Sequence, residues 1–478
     1  MASTLYTNAT IITVNHERHV IRDGWILVVG NLIAAIGPTS SINSKLNKPA
    51  NTRIISLQGK IVIPGLINAH AHLIQSLIRG LAEGMPLHQW ACDTIWPMEA
   101  AFEAGDGYIA AKLTMAEMLK TGTTCFLEPM LPVQAGLDNI SRAVGEVGIR
   151  ACLGTLVKGP KTHNHLGVAD ARDKDSALMS VQAAIANYKK YHGNFNDRLH
   201  IWMAADTPRG ADESGFAAIG DAGLQHGIRV TMHCAEASRD KTMIREAYKA
   251  TPLEFCSNTN IVGSHVVLAH LVHIAEDLDI DILQRTGTSV AHNPTSNAKL
   301  GDGIAPIPQM LAANINVALG SDGGPCNNAY DLFRDMHLAG LIHCAKAEDP
   351  TLLPAEQVLE MATINGARAL GLESSLGSLE VGKKADFVVI DPSGLGAAPY
   401  DPADTTCSGM HPTTVVVHSC SGENVDMVVL DGEIVVEDGV LLRVDEAQIK
   451  QSARDASSRL RQSSGVKAQP MKLGWQYI

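Results

Sequence analysis

The chain has 478 residues, enough for two to four domains of ordinary size or for one large barrel with an accessory domain. It carries 38 Lys and Arg against 50 Asp and Glu, a formal net charge of −12, and no run rich in Lys or Arg. This excess of acid argues against a nucleic-acid partner and against an anionic membrane surface. The expected partner is a small molecule or another protein chain.

The apolar segments and the cysteines bear on location. The longest apolar stretch, residues 25–37, is interrupted by Asn31 and is shorter than the ~18 residues that a membrane span needs. No secretory signal is readable, because no Lys or Arg precedes Arg18 and the first apolar segment contains Thr and Asn. The nine cysteines are scattered and never spaced C-x-x-C, which favours free thiols in a reducing compartment. These features predict a cytoplasmic protein without membrane contact.

Short β-rich runs occupy both ends of the chain. Residues 5–57 alternate such runs with turn signals, among them Asp23-Gly24. Near the other end, Asp431-Gly432 separates two β-branched runs and predicts a hairpin with a two-residue turn. These runs predict two half-sheets, within residues 1–60 and 373–440, that flank the middle of the chain.

The C-terminal residues 441–478 are predicted to form a helix and a tail. Asp445 is expected to cap the start of the helix, with Gln448 three residues further on. The polar composition of this helix predicts a position on the surface or at a subunit contact.

The middle of the chain, residues 61–372, repeats a different pattern. An apolar strand of about four to eight residues is followed each time by a segment with helical period. Eight such units describe an α/β fold, the (β/α)8 TIM barrel, with room for insertions. The predicted strands are residues 61–67, 123–127, 149–156, 199–205, 228–233, 266–270, 288–291 and 315–319.

Two histidine pairs differ in their surroundings. His70 and His72 follow the first predicted barrel strand, and their spacing of two directs both imidazoles to the same side of the chain. Active sites of this fold gather at the C-terminal ends of the strands, so this pair is a candidate for metal binding. The second pair, His163 and His165, follows a loop-like run and is not expected to bind metal.

Three further polar residues end later barrel strands, namely His233, His270 and Asp322. Strands 1, 5, 6 and 8 end on one rim of a barrel, so these side chains and the first histidine pair can meet at one point. Imidazole and carboxylate without thiolate suit Zn²⁺, Fe²⁺ or Mn²⁺, and zinc is the first candidate. Glu236, three residues past His233, lies where a carboxylate serves as a proton shuttle for a water on the metal.

Other zinc patterns are absent from the sequence. There is no H-E-x-x-H, and the run that starts at Pro325-Cys326 lacks the second thiol of the P-C-x-x-C found in cytidine-type deaminases. Cys326 is therefore expected to be a packing residue.

These motifs together resemble the amidohydrolase superfamily. The resemblance rests on His70-x-His72, His233-x-x-Glu236, His270, the run from Ser289 to Asn297, and Gly320-Ser-Asp322-Gly-Gly. Within the superfamily the chain is similar to the branch of triazine hydrolases and of adenosylhomocysteine and guanine deaminases. The similarity covers most of the chain and implies that residues 1–60 and 373–440 form one composite β-sandwich domain. Its motifs are specific for fold and metal chemistry but not for substrate.

The resemblance implies a metal centre and a catalytic role for three residues. By this resemblance Asp322 takes a proton from the attacking water, His270 orients the hydroxide, and Glu236 protonates a ring nitrogen and then the leaving group. Binuclear members use a carboxylated lysine from the fourth strand, and residues 199–205 contain no lysine, so one metal per chain is expected. That metal is Zn²⁺, with Fe²⁺ as the alternative, and its implied ligands are His70, His72, His233 and Asp322.

Family members also contact substrate from segments that match four residues here. Nucleoside deaminases of this branch usually carry a histidine where Asp206 stands, and residues 158–170 lack their arginine pattern, which argues against adenosylhomocysteine itself. A carboxylate only accepts hydrogen bonds, so Asp206 is expected to favour a ring with N–H or NH₂ donors. The substrate-binding candidates are Gln75, Trp90, Glu99 and Asp206.

The leading hypothesis is a hydrolytic deaminase acting on an amino-substituted nitrogen heteroaromatic such as a purine, pterin or triazine. The same residues would serve hydrolysis with halide or alkylamine as the leaving group, or opening of a cyclic amide. A metal-free structural homologue is a third reading, disfavoured because all the candidate ligands are present. The expected partners are a small heterocyclic substrate, water and further copies of the chain in a homo-oligomer.

Overall fold

The computed structural model describes residues 2–42, 48–159, 169–208, 211–402 and 409–467. His163 and His165 lie outside these ranges. None of the helices within the described ranges has the length and apolar character needed to cross a membrane. The eight cysteines in the described ranges are free, as expected for thiols in this chain.

The strands and helices are numbered along the chain. The strands are β1 (Ser3–Ile12), β2 (Val20–Val29), β3 (Leu32–Pro38), β4 (Arg53–Ser56), β5 (Ile61–Pro64), β6 (Leu66–Asn68), β7 (Thr123–Leu131), β8 (Arg150–Leu156), β9 (Leu199–Ala204), β10 (Val230–Cys234), β11 (Val266–His270), β12 (Ser289–His292), β13 (Val317–Leu319), β14 (Phe387–Ile390), β15 (Val425–Leu430), β16 (Glu433–Glu437) and β17 (Val440–Leu441). The helices are α1 (Leu87–Trp90), α2 (Trp96–Ala100), α3 (Ala104–Lys120), α4 (Leu137–Val147), α5 (Val181–Tyr191), α6 (Asn194–Asp197), α7 (Glu213–His226), α8 (Ser238–Tyr248), α9 (Pro252–Asn258), α10 (Glu276–Thr286), α11 (Pro294–Leu300), α12 (Ile307–Ala312), α13 (Gly324–Asn327), α14 (Leu332–Ala347), α15 (Ala355–Met361), α16 (Ile364–Leu370), α17 (Pro412–His418) and α18 (Glu446–Ser464).

Strands β6 to β13 form a parallel sheet in sequential order, which confirms the predicted barrel. All their residues are buried, in agreement with the continuous apolar runs that parallel strands require. The first and last strands are joined just beyond their ends, where the Ala69 N–H donates to Leu319 O at 2.8 Å and the Asp322 N–H donates to His70 O at 2.8 Å. The closure therefore brings two candidate metal ligands side by side.

The two ends of the chain build one mixed nine-stranded sheet with its own apolar core, as predicted. Strand β14 pairs antiparallel with β5, and β5 pairs parallel with β1, so the N-terminal and C-terminal parts are joined at β5. The predicted hairpin is present, with positive φ angles of 52° at Asp431 and 80° at Gly432 that suit a two-residue turn.

The strand predicted over residues 61–67 is divided between the two sheets. Ile61–Pro64 pairs in the terminal sheet, and Leu66–Asn68 begins the barrel. Pro64 has no N–H to extend the ladder, and a Cβ on Gly65 would lie 2.1 Å from Thr124 Oγ1. Periodicity alone does not detect this transfer, because both halves of the run are fully buried.

Asp23-Gly24 is a bulge and not the turn that the sequence predicts. Both residues lie within β2, Asp23 at a φ of 51°, and the register with β1 shifts on both sides of the Ala9–Gly24 pair. A Cβ on Gly24 would lie 2.5 Å from Ile11 Cδ1, so the close approach of the two strands requires glycine.

The C-terminal helix α18 is present where it was predicted. Asp445 Oδ1 accepts a hydrogen bond from the Gln448 N–H at 3.0 Å, which caps the helix. Its buried residues recur with helical spacing and pack on the barrel side of the helix; they are Ile449, Ala453, Ala456 and Leu460.

Candidate active site

The candidate ligands converge at the C-terminal rim of the barrel. His72 Nε2 lies 3.1 Å from His233 Nε2 and 3.4 Å from Asp322 Oδ1. His70 Nε2 lies 3.7 Å from Asp322 Oδ1. These side chains are at most 7% exposed, although they come from three separate strands. Their nitrogen and oxygen atoms therefore surround one small volume from several directions.

The donor atoms fit a divalent cation. Within the described residues, both ring nitrogens of His70 are buried without a hydrogen-bond partner, which is costly unless they bind something else. Burial and the neighbouring imidazoles hold the pKa of His70 well below its ordinary value and lower the pKa of His233 to about 3. The two side chains are therefore neutral, which is the form of imidazole that binds metal.

A buried carboxylate lies behind His72. Glu128 Oε1 is 3.6 Å from His72 Nδ1, and Glu128 also accepts hydrogen bonds from the N–H groups of Leu73 and Met130. Burial disfavours the charged imidazole, but Glu128 and Asp322 raise the pKa of His72 to about 8. Such a partner fixes the orientation of a ligating histidine. Sequence reasoning missed Glu128, which directly follows the apolar residues of the second barrel strand.

Asp322 is held as an anion by several contacts. Its Oδ2 accepts a hydrogen bond from Ser296 Oγ at 2.6 Å, and its Oδ1 accepts one from the Gly323 N–H at 2.7 Å. Burial opposes the charged form, yet the nearby imidazoles of His72 and His270 and the Ser296 bond lower the pKa of Asp322.

The rim of the barrel is strained at the site. Three candidate residues have positive φ angles, 57° at Asp206, 73° at His270 and 62° at Asp322. A positive φ is uncommon outside glycine and costs about 1–3 kcal/mol, and such strain clusters at functional sites.

Buried polar residues support the loop that carries Asp322. Asn327 Nδ2 donates to Ser321 O at 2.7 Å and to Asp335 Oδ2 at 3.1 Å. Burial raises the pKa of Asp335 to about 7, although hydrogen bonds from Thr295 and Asn327 oppose the rise. This carboxyl group therefore belongs to the scaffold of the site.

His270 and Glu236 face each other beside the ligands. His270 Nδ1 donates to Asn297 Oδ1 at 2.9 Å, which leaves Nε2 as the acceptor of the ring. That Nε2 lies 3.6 Å from Glu236 Oε1 and 3.9 Å from Asp322 Oδ2. The Asn297 contact was not predicted, although Asn297 belongs to the motif quoted from the sequence.

A cavity opens onto this cluster and is lined by three of the four predicted substrate residues, Gln75, Trp90 and Asp206. Glu236, Asp322, His72 and His233 line it as well. The fourth predicted residue, Glu99, lies behind the wall, where it accepts hydrogen bonds from Gln75 Nε2 at 3.0 Å and from Arg172 Nη1 at 2.9 Å.

A buried ionic cluster, formed by Glu99, Lys158, Asp170, Arg172 and Asp206, stands behind one wall of the cavity. Lys158 Nζ donates to Asp206 Oδ2 at 2.7 Å and to Asp170, and Arg172 Nη2 lies 3.5 Å from Asp206 Oδ2. Burial disfavours the charge of Asp206, but Lys158 and Arg172 lower its pKa. Sequence reasoning missed Lys158, Asp170 and Arg172, since charged residues in predicted loops are usually solvated.

Residues 61–435 match the amidohydrolase family. The matched region contains all the candidate ligands together with Glu236 and His270. The chain belongs to the amidohydrolase family.

Two curated relatives of this amidohydrolase match over nearly their whole length. A 5-methylthioadenosine/S-adenosylhomocysteine deaminase of Acetivibrio thermocellus is 33% identical over 456 residues, which cover 95% of this chain and 99% of the relative. A 5'-deoxyadenosine deaminase of Methanothermobacter thermautotrophicus is 32% identical over 440 residues, which cover 92% and 95%.

A solved structure agrees with this amidohydrolase fold. It is an adenosine deaminase from Xanthomonas campestris with bound zinc, with a TM-score of 0.85 and 27% identity, covering 96% of this chain and 99% of that chain.

Proposed function

We propose that the chain is a metal-dependent hydrolytic deaminase that acts on an amino-substituted nitrogen heteroaromatic ring of purine type and releases ammonia. The observation that carries the proposal is the convergence of three imidazoles and a carboxylate beside Glu236 and His270 on one rim. The full-length similarity to deaminases of adenosine-type compounds supports the reaction type and the purine ring. The enzyme is thus a hydrolase acting on a carbon–nitrogen bond.

One divalent ion, Zn²⁺ in the first instance and Fe²⁺ as the alternative, would be held by His70, His72, His233 and Asp322. When bound, it would lower the pKa of a water molecule to near neutrality. A single ion is supported by the fourth barrel strand, Leu199–Ala204, which contains no lysine to bridge a second one.

The side chains of the site divide the proton transfers between them. The Asp322 carboxylate takes a proton from the attacking water, and His270 Nε2 accepts a hydrogen bond that orients the water. Glu236 donates a proton to a ring nitrogen, which removes the aromatic penalty for attack at the adjacent carbon. Glu236, now ionised, takes the remaining hydroxyl proton of the addition intermediate and passes it to the amino group. The carbon–nitrogen bond breaks as the ring carbonyl forms, ammonia leaves, and the proton held by Asp322 returns to Glu236.

The proposed substrate contacts are Gln75, Trp90 and Asp206, which line the cavity. Glu99 acts through Gln75, because its carboxylate holds the Gln75 amide by a hydrogen bond of 3.0 Å. Asp206 accepts hydrogen bonds from the ring, so rings that present N–H or NH₂ donors are preferred.

A release assay tests the function. The purified protein, loaded with Zn²⁺ or with Fe²⁺, is incubated with amino-substituted purines, pterins and triazines, and with a chlorinated and an alkylaminated triazine. Ammonia release that depends on the metal is the expected result. If chloride or alkylamine is released and none of the rings releases ammonia, the result would support hydrolysis with halide or alkylamine as the leaving group instead.

The proposal includes a cytoplasmic localisation and a homo-oligomeric state. Eight free cysteines in the described residues support a reducing compartment. Fluorescence microscopy of a tagged chain tests the first point, and sedimentation equilibrium tests the second.

A further inference from the structure

The ionic cluster behind the cavity is buried almost completely. The side chains of Lys158 and Glu99 are each 1% exposed, those of Asp170 and Asp206 are 2% and 3% exposed, and that of Arg172 is not exposed. Three carboxylates therefore share two cations away from water. A buried charge of this kind is tolerated only when its hydrogen bonds are well satisfied, so each contact has energetic weight.

Nearly every carboxylate oxygen of this cluster has a donor. Asp170 accepts from the Arg172 backbone N–H and Nε at 2.9 Å each, and also from Lys158. Both oxygens of Glu99 are occupied by Gln75 and Arg172. Lys158 and Arg172 approach Asp206 on Oδ2. Among the described residues Asp206 Oδ1 has no hydrogen-bond partner, and Asp206 lines the cavity.

Arg172 also connects two walls of the cavity. Its Nη2 approaches Asp206, and its Nη1 bonds Glu99, which in turn holds the amide of Gln75. Because Gln75 donates through Nε2 to Glu99, its Oε1 is left as an acceptor, and Oε1 also has no partner within the described ranges. The cluster thus leaves two unpaired acceptor oxygens on residues that line the cavity. A buried acceptor without a donor is costly, and a bound ligand with N–H groups recovers that cost.

We infer that Lys158 and Arg172 are positioning residues for substrate selection: by occupying Asp206 Oδ2 they leave Oδ1 to accept an N–H from the ring. That N–H is additional to the amino group that the ring loses. The inference rests on the proposed deaminase function and narrows its substrate to rings with a second donor, such as a diamino-substituted purine.

Adenine and 2,6-diaminopurine form a matched pair of probes, because both carry the same 6-amino group and only the second carries an extra NH₂. Their dissociation constants are measured by calorimetry on metal-loaded Glu236→Gln protein, in which turnover is suppressed. We expect 2,6-diaminopurine to bind about 10- to 100-fold more tightly, as a hydrogen bond to a buried charge provides.

Three variants in the same background separate positioning from folding. Lys158→Met replaces the cation with an uncharged side chain of similar length. It should bring the affinity ratio of the two rings to about 1. Lys158→Arg restores the charge and should restore the preference. Asp206→Asn keeps the volume, but its carbonyl oxygen will turn to Lys158 and present NH₂ to the cavity, so the preference should vanish or reverse. Lys190→Met, which breaks an exposed ion pair with Asp138, is the control and should leave the ratio unchanged.

The readout is the ratio of the dissociation constants of the two rings. A general loss of packing would weaken the binding of both rings and leave this ratio unchanged. Two results overturn the inference. The first is equal affinity of the Glu236→Gln protein for both rings. The second is a preference for 2,6-diaminopurine that persists in both Lys158→Met and Asp206→Asn. If ammonia is still released from both rings in that case, the proposed function stands without it. A preserved preference without ammonia release would instead refute the deaminase function and support the selection of the donor.

Discussion

Replacing Glu236 with glutamine removes the proton on which the proposed reaction depends. The carboxamide has nearly the same size but transfers no proton at neutral pH. Glu236 is 4% exposed and lines the cavity. The main chain at this position is held independently of the side chain, because the Glu236 N–H donates to Asp240 Oδ2 at 3.2 Å. The substitution should therefore change the chemistry and leave the loop in place.

The size of the effect follows from the groups that remain. Among the described residues that line the cavity, the other carboxylates are Asp206 and Asp322. Asp206 is paired with Lys158 at 2.7 Å, and Asp322 accepts from Ser296 at 2.6 Å, so neither is a spare acid for the ring. General acid–base catalysis contributes roughly 10²- to 10⁴-fold, and we expect kcat to fall by at least about 10²-fold, or ~2.7 kcal/mol.

The assay combines ammonia release with metal analysis by plasma mass spectrometry. Glu246→Gln is the matched control, since Glu246 is exposed on α8, the helix that follows Glu236, and should behave like the parent protein. The metal content of Glu236→Gln should equal that of the parent. Turnover at the parent rate would show that another residue carries the proton. Loss of metal in the variant would show that Glu236 is a ligand and not an acid.

Three further predictions concern the ligands and their supports. His70→Ala should lower the metal content below one ion per chain, because it removes a candidate ligand. His226→Ala is the control at an exposed histidine and should leave the metal content unchanged. Two ions per fully active chain would contradict the single site. Asn297→Ala should lower kcat about 10-fold with metal retained, since it frees the His270 ring from its 2.9 Å bond, and an unchanged kcat would remove Asn297 from the mechanism. The pKa of Asp335 is about 7 in the folded protein against an ordinary 3.8, so its stabilising effect is complete below pH 4 and is lost as the pH rises to 7. Urea unfolding should therefore find Asp335→Asn more stable relative to the parent at pH 8 than at pH 4, by roughly 2–4 kcal/mol, and a difference independent of pH would refute this.

Local patterns were sufficient to predict the architecture and to select candidate ligands that the fold brings together. A parallel barrel strand is buried on both faces, so its sequence is a short apolar run that can be recognised without knowledge of its neighbours. His70 and His72 share one side of the chain because of their spacing. The candidates from different strands could be combined before the structure was known, because the fold brings all strand ends to one rim. The Asp431-Gly432 turn was also predictable, since positive φ angles favour these residue types.

The tertiary structure alone decided which charges pair and where the chain changes sheet. Arg172 meets Glu99 across 73 residues of sequence, and its complete burial is possible only because that carboxylate and Asp170 surround it. The periodicity of the sequence carries no information on such distant partners, so an arginine in a predicted loop is expected to be solvated. The transfer at Gly65 likewise depends on the distance to Thr124, a contact between elements far apart in the chain. Local spacing thus determined which side chains lie at the rim. Long-range contacts determined which charged side chains pair and which oxygen of Asp206 has no partner among the described residues.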